Sequence, residues 1–305
     1  PGQGIHLLYY PIYQKGEMMK IKPLAFDSFG VRSMATFVAT DDLKILIDPG
    51  VALGPSRYKL PPHMIEINRE LDLWGEVKKH AEEADLLIIT HYHYDHYNPE
   101  DPQIYKDKVV YLKDPKKSIN KSQKERASNF LKKLSGIPRS IDISDDNEYK
   151  HGSTKIKFSS PVFHGTNAKL GYVTEVSISC GDEKMLFTSD VEGASVDDQV
   201  SFILDERPNV LILDGPMTYM LGYRYSNSSL EQSIENIIEV IDGTDVEYII
   251  MDHHFLRDLK YTERIKKVYE VARDRGVKVI TAAEYAGRKV EMLEARRKEL
   301  YEEDP

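Results

Sequence analysis

Five apolar stretches of this chain each run into a residue able to bind a proton or a cation. Four close on aspartate: Ile45-Leu46-Ile47-Asp48, Leu186-Phe187-Thr188-Ser189-Asp190, Leu211-Ile212-Leu213-Asp214 and Tyr248-Ile249-Ile250-Met251-Asp252. The fifth, Leu87-Ile88-Ile89-Thr90, runs into His91. Short apolar runs bounded by polar residues read as buried strands. A strand end is a rigid platform at a sheet edge, where polar groups converge without entering the core. One aspartate after a strand is ordinary turn chemistry, as in Asp48-Pro49-Gly50. Five polar ends in one chain call for a shared site.

The remaining pattern is β-rich at first and alternating later. Strands are expected at 21–26, 32–39, 43–48, 85–90, 108–112, 154–160, 171–180 and 184–189. Beyond them the reading is helix 197–206, strand 209–214, helix 229–241, strand 246–252, helix 258–274 and strand 277–280, with a charged amphipathic helix over 288–302. With 305 residues, 41% hydrophobic, the chain is long enough for a substantial core. Residues 1–18 share no periodicity with the first strand and are expected to be a non-native or disordered leader, with Met19 the natural start. Residues 19–305 then form a single domain.

Several classes are excluded. No apolar run approaches the length of a membrane span, and the Ile5–Tyr13 stretch lacks the basic flank and small-residue cleavage site of a signal peptide. Cys180 is the only cysteine, so there is no intrachain disulfide and no thiolate-rich metal site, and a cytoplasmic location is expected. A net charge of −9 argues against nucleic-acid binding over the whole surface but leaves room for a local basic patch.

The densest chemistry lies in His91-Tyr92-His93-Tyr94-Asp95-His96. Zinc and similar ions prefer imidazole and carboxylate ligands. In extended backbone, residues two apart face the same way, so His91 and His93 can share one ion. Asp95 and His96 then serve a second position, and two ions a few ångströms apart activate a bridging hydroxide.

His-x-His-x-Asp-His after a strand resembles the signature of the metallo-β-lactamase superfamily, and the family's other motifs appear in order. Asp48 is similar to the first motif, an aspartate supporting the ligand loop. His164, in Pro161-Val162-Phe163-His164-Gly165, resembles the third, a ligand of the His91/His93 ion. Asp190 resembles the fourth, a carboxylate bridging both ions, and a final histidine falls in Asp252-His253-His254. The resemblance covers about residues 20–285. It implies an α/β fold, a four-layer αββα sandwich of two mixed sheets, and a metal-dependent hydrolase working through a hydroxide bridged by two metal ions. Zinc is the first expectation for both ions, manganese or iron the alternatives. The implied metal ligands are His91, His93, Asp95, His96, His164, Asp190 and His254, with His253 the alternative to the last. Asp95, His253 and Asp48 are the residues assigned to catalysis. Whichever of His253 and His254 stays off the metal is the proton donor, and Asp252 is a candidate carboxylate to support it.

His93 stands where the redox di-iron branch has glutamate, and Asp190 to His254 leaves room for only two strand–helix units, without the inserted domain of the RNA-end-processing nucleases. The pattern is most similar to an archaeal group of predicted metal-dependent hydrolases whose substrates are unassigned. Residues 106–139 carry eleven Lys and Arg against three acidic residues, with Lys113, Lys116, Lys117, Lys121, Lys124 and Arg126 soon after the ligand loop. Such a patch suits phosphate, although a solvated helix face has the same composition. Tyr223 and Arg224, after the Asp214 strand end, are a second candidate for substrate contact. A phosphodiester or RNA substrate is therefore favoured, a small ester, thioester or lactone is the alternative, and metal binding without turnover is the third reading.

Overall fold

The computed structural model describes residues 19–303; the expected leader at 1–18 lies outside the described residues. Six strands form the first sheet in chain order: β1 (Met19–Phe26), β2 (Met34–Thr40), β3 (Lys44–Ile47), β4 (Leu86–Ile89), β5 (Val109–Leu112) and β6 (Ser140–Ile143). Strands β1 to β3 are antiparallel, and β3 to β6 are parallel. The parallel pairs need crossovers. Helix α1 (Met64–Glu83) supplies the first, and α2 (Lys121–Lys133) links β5 to β6.

The second sheet is built from β7 (Glu148–His151) and β8 (Thr154–Phe158) and, beyond the small hairpin of β9 (Val162–Phe163) with β10 (Tyr172–Val173), from β11 (Val176–Cys180), β12 (Glu183–Phe187), β13 (Val210–Asp214), β14 (Tyr248–Asp252) and β15 (Lys278–Ile280). Its order is β15-β14-β13-β12-β11-β8-β7, parallel from β12 to β15 and antiparallel elsewhere. Crossovers are made by α3 (Asp197–Glu206), by α4 (Asn227–Gly243), and by α5 (Tyr261–Arg264) with α6 (Lys266–Arg275). Two short helices, α7 (Ala282–Tyr285) and α8 (Arg297–Glu303), close the described chain.

The two sheets share one core. Val38, Ile47 and Ile88 of the first pack in the same cluster as Ile178, Phe187, Ile212 and Ile250 of the second. The alternate residues Leu211, Leu213, Ile249 and Met251 face a separate cluster with Val200, Ile203, Ile237, Val240 and Val268 of the covering helices. Strands buried on both faces read as unbroken apolar runs, which is why β13 and β14 show no alternation. Leu73, Val77 and Ala81 of α1 cover the first sheet's outer side. The architecture is the expected α/β sandwich of two mixed sheets between helical layers.

This layering positions the polar ends. Asp214 and Asp252 lie two residues beyond the core-facing Ile212 and Ile250, so they point to the same side, between the sheets.

Three expected elements differ. The 171–180 strand breaks at Thr174-Glu175, where the chain passes from the hairpin into the second sheet. The 258–274 helix is interrupted at Ile265 between α5 and α6. The 288–302 helix begins only at Arg297, and its preceding turn is tied down by Arg32 on Glu294 (2.6 Å) and by Glu291 N–H on Ser28 O (3.0 Å).

Candidate metal centre

The Asp48-Pro49-Gly50 turn and the His91–His96 loop fold onto each other. Asp48 accepts hydrogen bonds from Thr90 N–H (2.8 Å) and Thr90 Oγ1 (2.6 Å), and its Oδ2 lies 2.8 Å from His96 Nδ1. A carboxylate on one ring nitrogen fixes the tautomer and aims the other nitrogen away from it. The approach is close enough to require glycine: a Cβ on Gly50 would lie 2.3 Å from Tyr97 N and 2.6 Å from His96 N. Asp48 is thereby the support of the loop, with its oxygens already engaged.

His91 lies just past β4, His164 leaves β9, Asp190 stands three residues past β12, and His253 comes directly after β14. Four overlapping groups of ligand atoms result, among them Asp48 with His91 and His96, and Asp190 with His253 and His254; the other two define the centre. One comprises His91, His93, His164 and Asp190, the other Asp95, His96 and His253, and within each all the atoms lie within 4.8 Å of one another. Asp190 divides its two oxygens between them. Oδ2 faces His164 Nε2 at 3.1 Å and His91 Nε2 at 3.6 Å, whereas Oδ1 faces His96 Nε2 at 2.9 Å and His253 Nε2 at 3.4 Å.

These atoms fit a metal better than they fit one another. His91 Nε2, His96 Nε2, His164 Nε2 and Asp190 Oδ1 are all buried, yet none has a hydrogen-bond partner among the described residues. Buried polar atoms are normally paired, and here several lie at hydrogen-bond distance but out of line, as atoms do when aimed at a common third point. The backbone is strained in the same region, with positive φ at Asp48 (47°), Ser189 (57°), Glu192 (50°) and His253 (59°). Such residues cluster at functional sites.

The electrostatics divide the imidazoles into two kinds. Burial opposes protonation of His96, but Asp190 and Asp48 outweigh it and push its pKa up to about 10. His253 is raised in the same way by Asp190 and Asp27. Burial would raise Asp95, yet His96 and His253 hold it down to about 2. His91, His93 (about 3) and His254 are lowered chiefly by burial, which leaves neutral imidazoles with free lone pairs.

The adjacent histidines meet different carboxylates. His253 Nδ1 lies 2.7 Å from Asp27 Oδ2, and its Nε2 joins Asp95 and His96. His254 Nδ1 is held by Asp214 at 3.0 Å, and the ring also offers a ligand atom to a group with Asp190 and His253. Both rings offered by the sequence therefore present a ligand atom at the centre, His253 to Asp95 and His96 and both to Asp190. Each ring meets a different carboxylate, and adjacency in sequence carries no information about which one. Asp252 is not beside either ring: it accepts backbone N–H groups of Ser28, His253 and Ala282, and burial raises its pKa to about 6.

The substrate candidates are more dispersed. Lys113 is buried and paired with Asp145 at 2.5 Å, so it leaves the basic patch. Lys116 and Lys117 are exposed on the turn before α2, and Lys121 is exposed at its first residue. The helix itself touches the ligand loop: Gln123 Oε1 accepts Tyr92 N–H at 3.1 Å, Arg126 donates to Tyr92 O at 3.3 Å, and the Arg126 guanidinium lies 4.6 Å over the Tyr94 ring. Tyr223 (83% exposed) and Arg224 stand on the surface beyond the Thr218–Met220 turn. They touch none of the ligand atoms.

Sequence reasoning missed Asp27, Arg257, Ser189 and the role of Asp214. Asp214 was visible as a strand end. Asp27, in Phe26-Asp27-Ser28-Phe29, reaches the centre from 226 residues away and carries no local signal.

Residues 29–253 match the family described as the metallo-beta-lactamase superfamily. The chain belongs to that superfamily. Within it, the chain is 56% identical over 285 residues to a "UPF0282 protein" of Korarchaeum cryptofilum, covering 93% of this chain and 95% of that one. It is 49% identical to a "UPF0282 protein" of Metallosphaera sedula, over 94% of each. Among solved structures, an isothiocyanate hydrolase from Delia radicum gut bacteria superposes with a TM-score of 0.51 at 18% identity, over 82% of this chain and 94% of that one. Unliganded yeast PDE1 superposes at 0.51 and 14% identity, over 87% and 97%. At such identities the metallo-β-lactamase likeness to these structures is one of fold alone. Among the described residues, no helix is long and apolar enough to cross a membrane.

Proposed function

We propose that the centre holds two divalent transition-metal ions, zinc before manganese or iron, and that the protein is a metal-dependent hydrolase. His91, His93 and His164 hold one ion, Asp95, His96 and His253 hold the other, and Asp190 is shared. The observation that carries this reading is the division of the Asp190 oxygens between the two histidine groups. Bound there, the ions supply Lewis acidity and a nucleophile drawn from water at neutral pH.

The chain's own residues do the rest. Asp48 and Asp27 orient His96 and His253. His254 is the group assigned to proton movement. Asp214 accepts a hydrogen bond from its Nδ1–H, so Nε2 keeps a lone pair that can take a proton from the attacking water and pass it to a leaving group. No serine or cysteine nucleophile is needed; Cys180 is buried in β11.

A phosphodiester, RNA included, is the favoured substrate class. The support is Arg126, a cation on the ligand loop with no carboxylate partner among the described residues, and Lys121 on the same helix. A small ester, thioester or lactone is the second reading, supported by the exposed ring of Tyr94 between His93 and Asp95. The test is to reconstitute the protein with zinc, manganese or iron and screen RNA, phosphodiesters, thioesters and lactones. Turnover of any class that disappears on chelation and with Asp190→Ala supports the hydrolase. Two ions bound without turnover on any of them leaves a metal-binding protein.

A further inference from the structure

Four imidazoles of the centre have Nδ1 beside an oxygen. His91 meets the hydroxyls of Thr90 (3.3 Å) and Ser189 (3.2 Å), His96 meets Asp48 (2.8 Å), His253 meets Asp27 (2.7 Å), and His254 meets Asp214 (3.0 Å). His164 lies outside this set of four. Its Nδ1 is buried without a hydrogen-bond partner among the described residues, and 3.8 Å away stands Glu192 Oε1, also buried and without one.

The local backbone is shaped to keep that carboxylate there. Glu192 has φ 50°, and its N–H is held by Asp214 Oδ2 at 2.8 Å. Gly165, next to His164, has φ +72°, and a Cβ on it would lie 2.3 Å from Glu192 Oε2. A side chain at 165 would therefore evict the carboxylate.

We infer that Glu192 is the positioning residue of His164. A shift of about 1 Å brings the pair into hydrogen-bond range. The carboxylate then accepts Nδ1–H and directs Nε2 toward Asp190 and the ion of the His91–His93–His164 group. The inference rests on the two-ion reading above, and it gives His164 the carboxylate support that His96 and His253 have in the other group.

The experiment is a Co(II) titration of metal-free wild-type protein and of Glu192→Gln and Glu192→Ala, followed by visible absorption, with nitrogen-15 histidine NMR reading the His164 Nδ1 proton. Wild type is expected to take up two ions. In Glu192→Ala one of the two affinities falls by roughly 10–100-fold, the Co(II) spectrum of that site changes, and the His164 Nδ1–H signal is lost. Glu192→Gln keeps an acceptor oxygen and is expected to fall in between, which also serves if the alanine variant does not fold. Two unchanged affinities with an unchanged spectrum would overturn the inference, as would lower stability alone with an unchanged spectrum. Wild type that binds no Co(II) is a different failure: it removes the two-ion reading itself, and this inference with it.

Discussion

Nδ1 of His253 lies 2.7 Å from Oδ2 of Asp27, a residue of the first sheet's edge turn. The other oxygen of Asp27 accepts from Arg257 Nε at 2.7 Å. One carboxylate therefore neutralises a buried guanidinium and orients an imidazole. Asp27→Asn keeps the shape but weakens the acceptor on both sides. Loss of an orienting partner commonly lowers metal affinity 10–100-fold. Competition with a chromophoric chelator should show one weakened ion and one unchanged. Two unchanged affinities would mean that Asp27 serves Arg257 only.

The neighbouring histidines give a sharper contrast. His253→Ala should leave one ion per chain by elemental analysis, because Asp95 and His96 lose their third partner. His254→Ala should keep two ions and lose about 10²–10⁴-fold in turnover, the usual contribution of a positioned acid or base. The reverse result, one ion in His254→Ala and two in His253→Ala, would restore His254 as the ligand.

That distinction shows what the sequence could carry. The strand ends were legible because they are local: an apolar run stops and a polar residue comes next; the two-sheet class came through the resemblance of the His91–His96 motif to the superfamily. Helix α1 was not legible, although it is the longest in the described chain. It buries only a narrow stripe, Leu73, Val77 and Ala81 among its apolar residues, and its N-cap is His63 rather than an ordinary capping residue, with Glu66 closing the capping box. Strands β6 and β7 were missed as well, because their residues are half-exposed and charged. The pairing of the orienting carboxylates with their rings was illegible for another reason. Asp27 meets its ring only after both sheets have closed, and nothing within a few residues marks it; Asp214 was marked as a strand end, but its ring partner past the neighbouring strand was not.

A prediction far from the centre concerns α8. Arg297 is fully buried and donates to both oxygens of Glu66, at 2.7 and 2.8 Å, and to the carbonyls of Gly54 and Leu60. Removing one member of such a pair leaves an uncompensated buried charge, which costs about 3–5 kcal/mol. Arg297→Met should lower unfolding stability by that order in denaturant titration, and the double change with Glu66→Leu should recover much of the loss. Metal stoichiometry should stay at the wild-type value in both. An equal loss in single and double variants would mean that the carbonyl contacts, not the charge pair, hold the helix.

The last prediction separates the substrate classes. Lys116, Lys117 and Lys121 are exposed, and Arg126 stacks on Tyr94 at the ligand loop. Contacts to phosphate release counterions, so each one lost flattens the salt dependence of binding by about 0.7–0.9 in log–log slope. With RNA as substrate, neutralising the three lysines should raise KM and flatten its salt dependence while kcat holds, since these side chains lie away from the ligand atoms. Arg126→Gln should add to the loss in KM, and it alone should also disturb the loop, through its bond to Tyr92 O. A neutral ester or lactone makes no phosphate contacts, so the triple change should leave its KM unmoved at every salt concentration. Kinetics of the triple variant at two ionic strengths therefore decides between them, and an unchanged KM on RNA rules out a role for these lysines in gripping a phosphodiester.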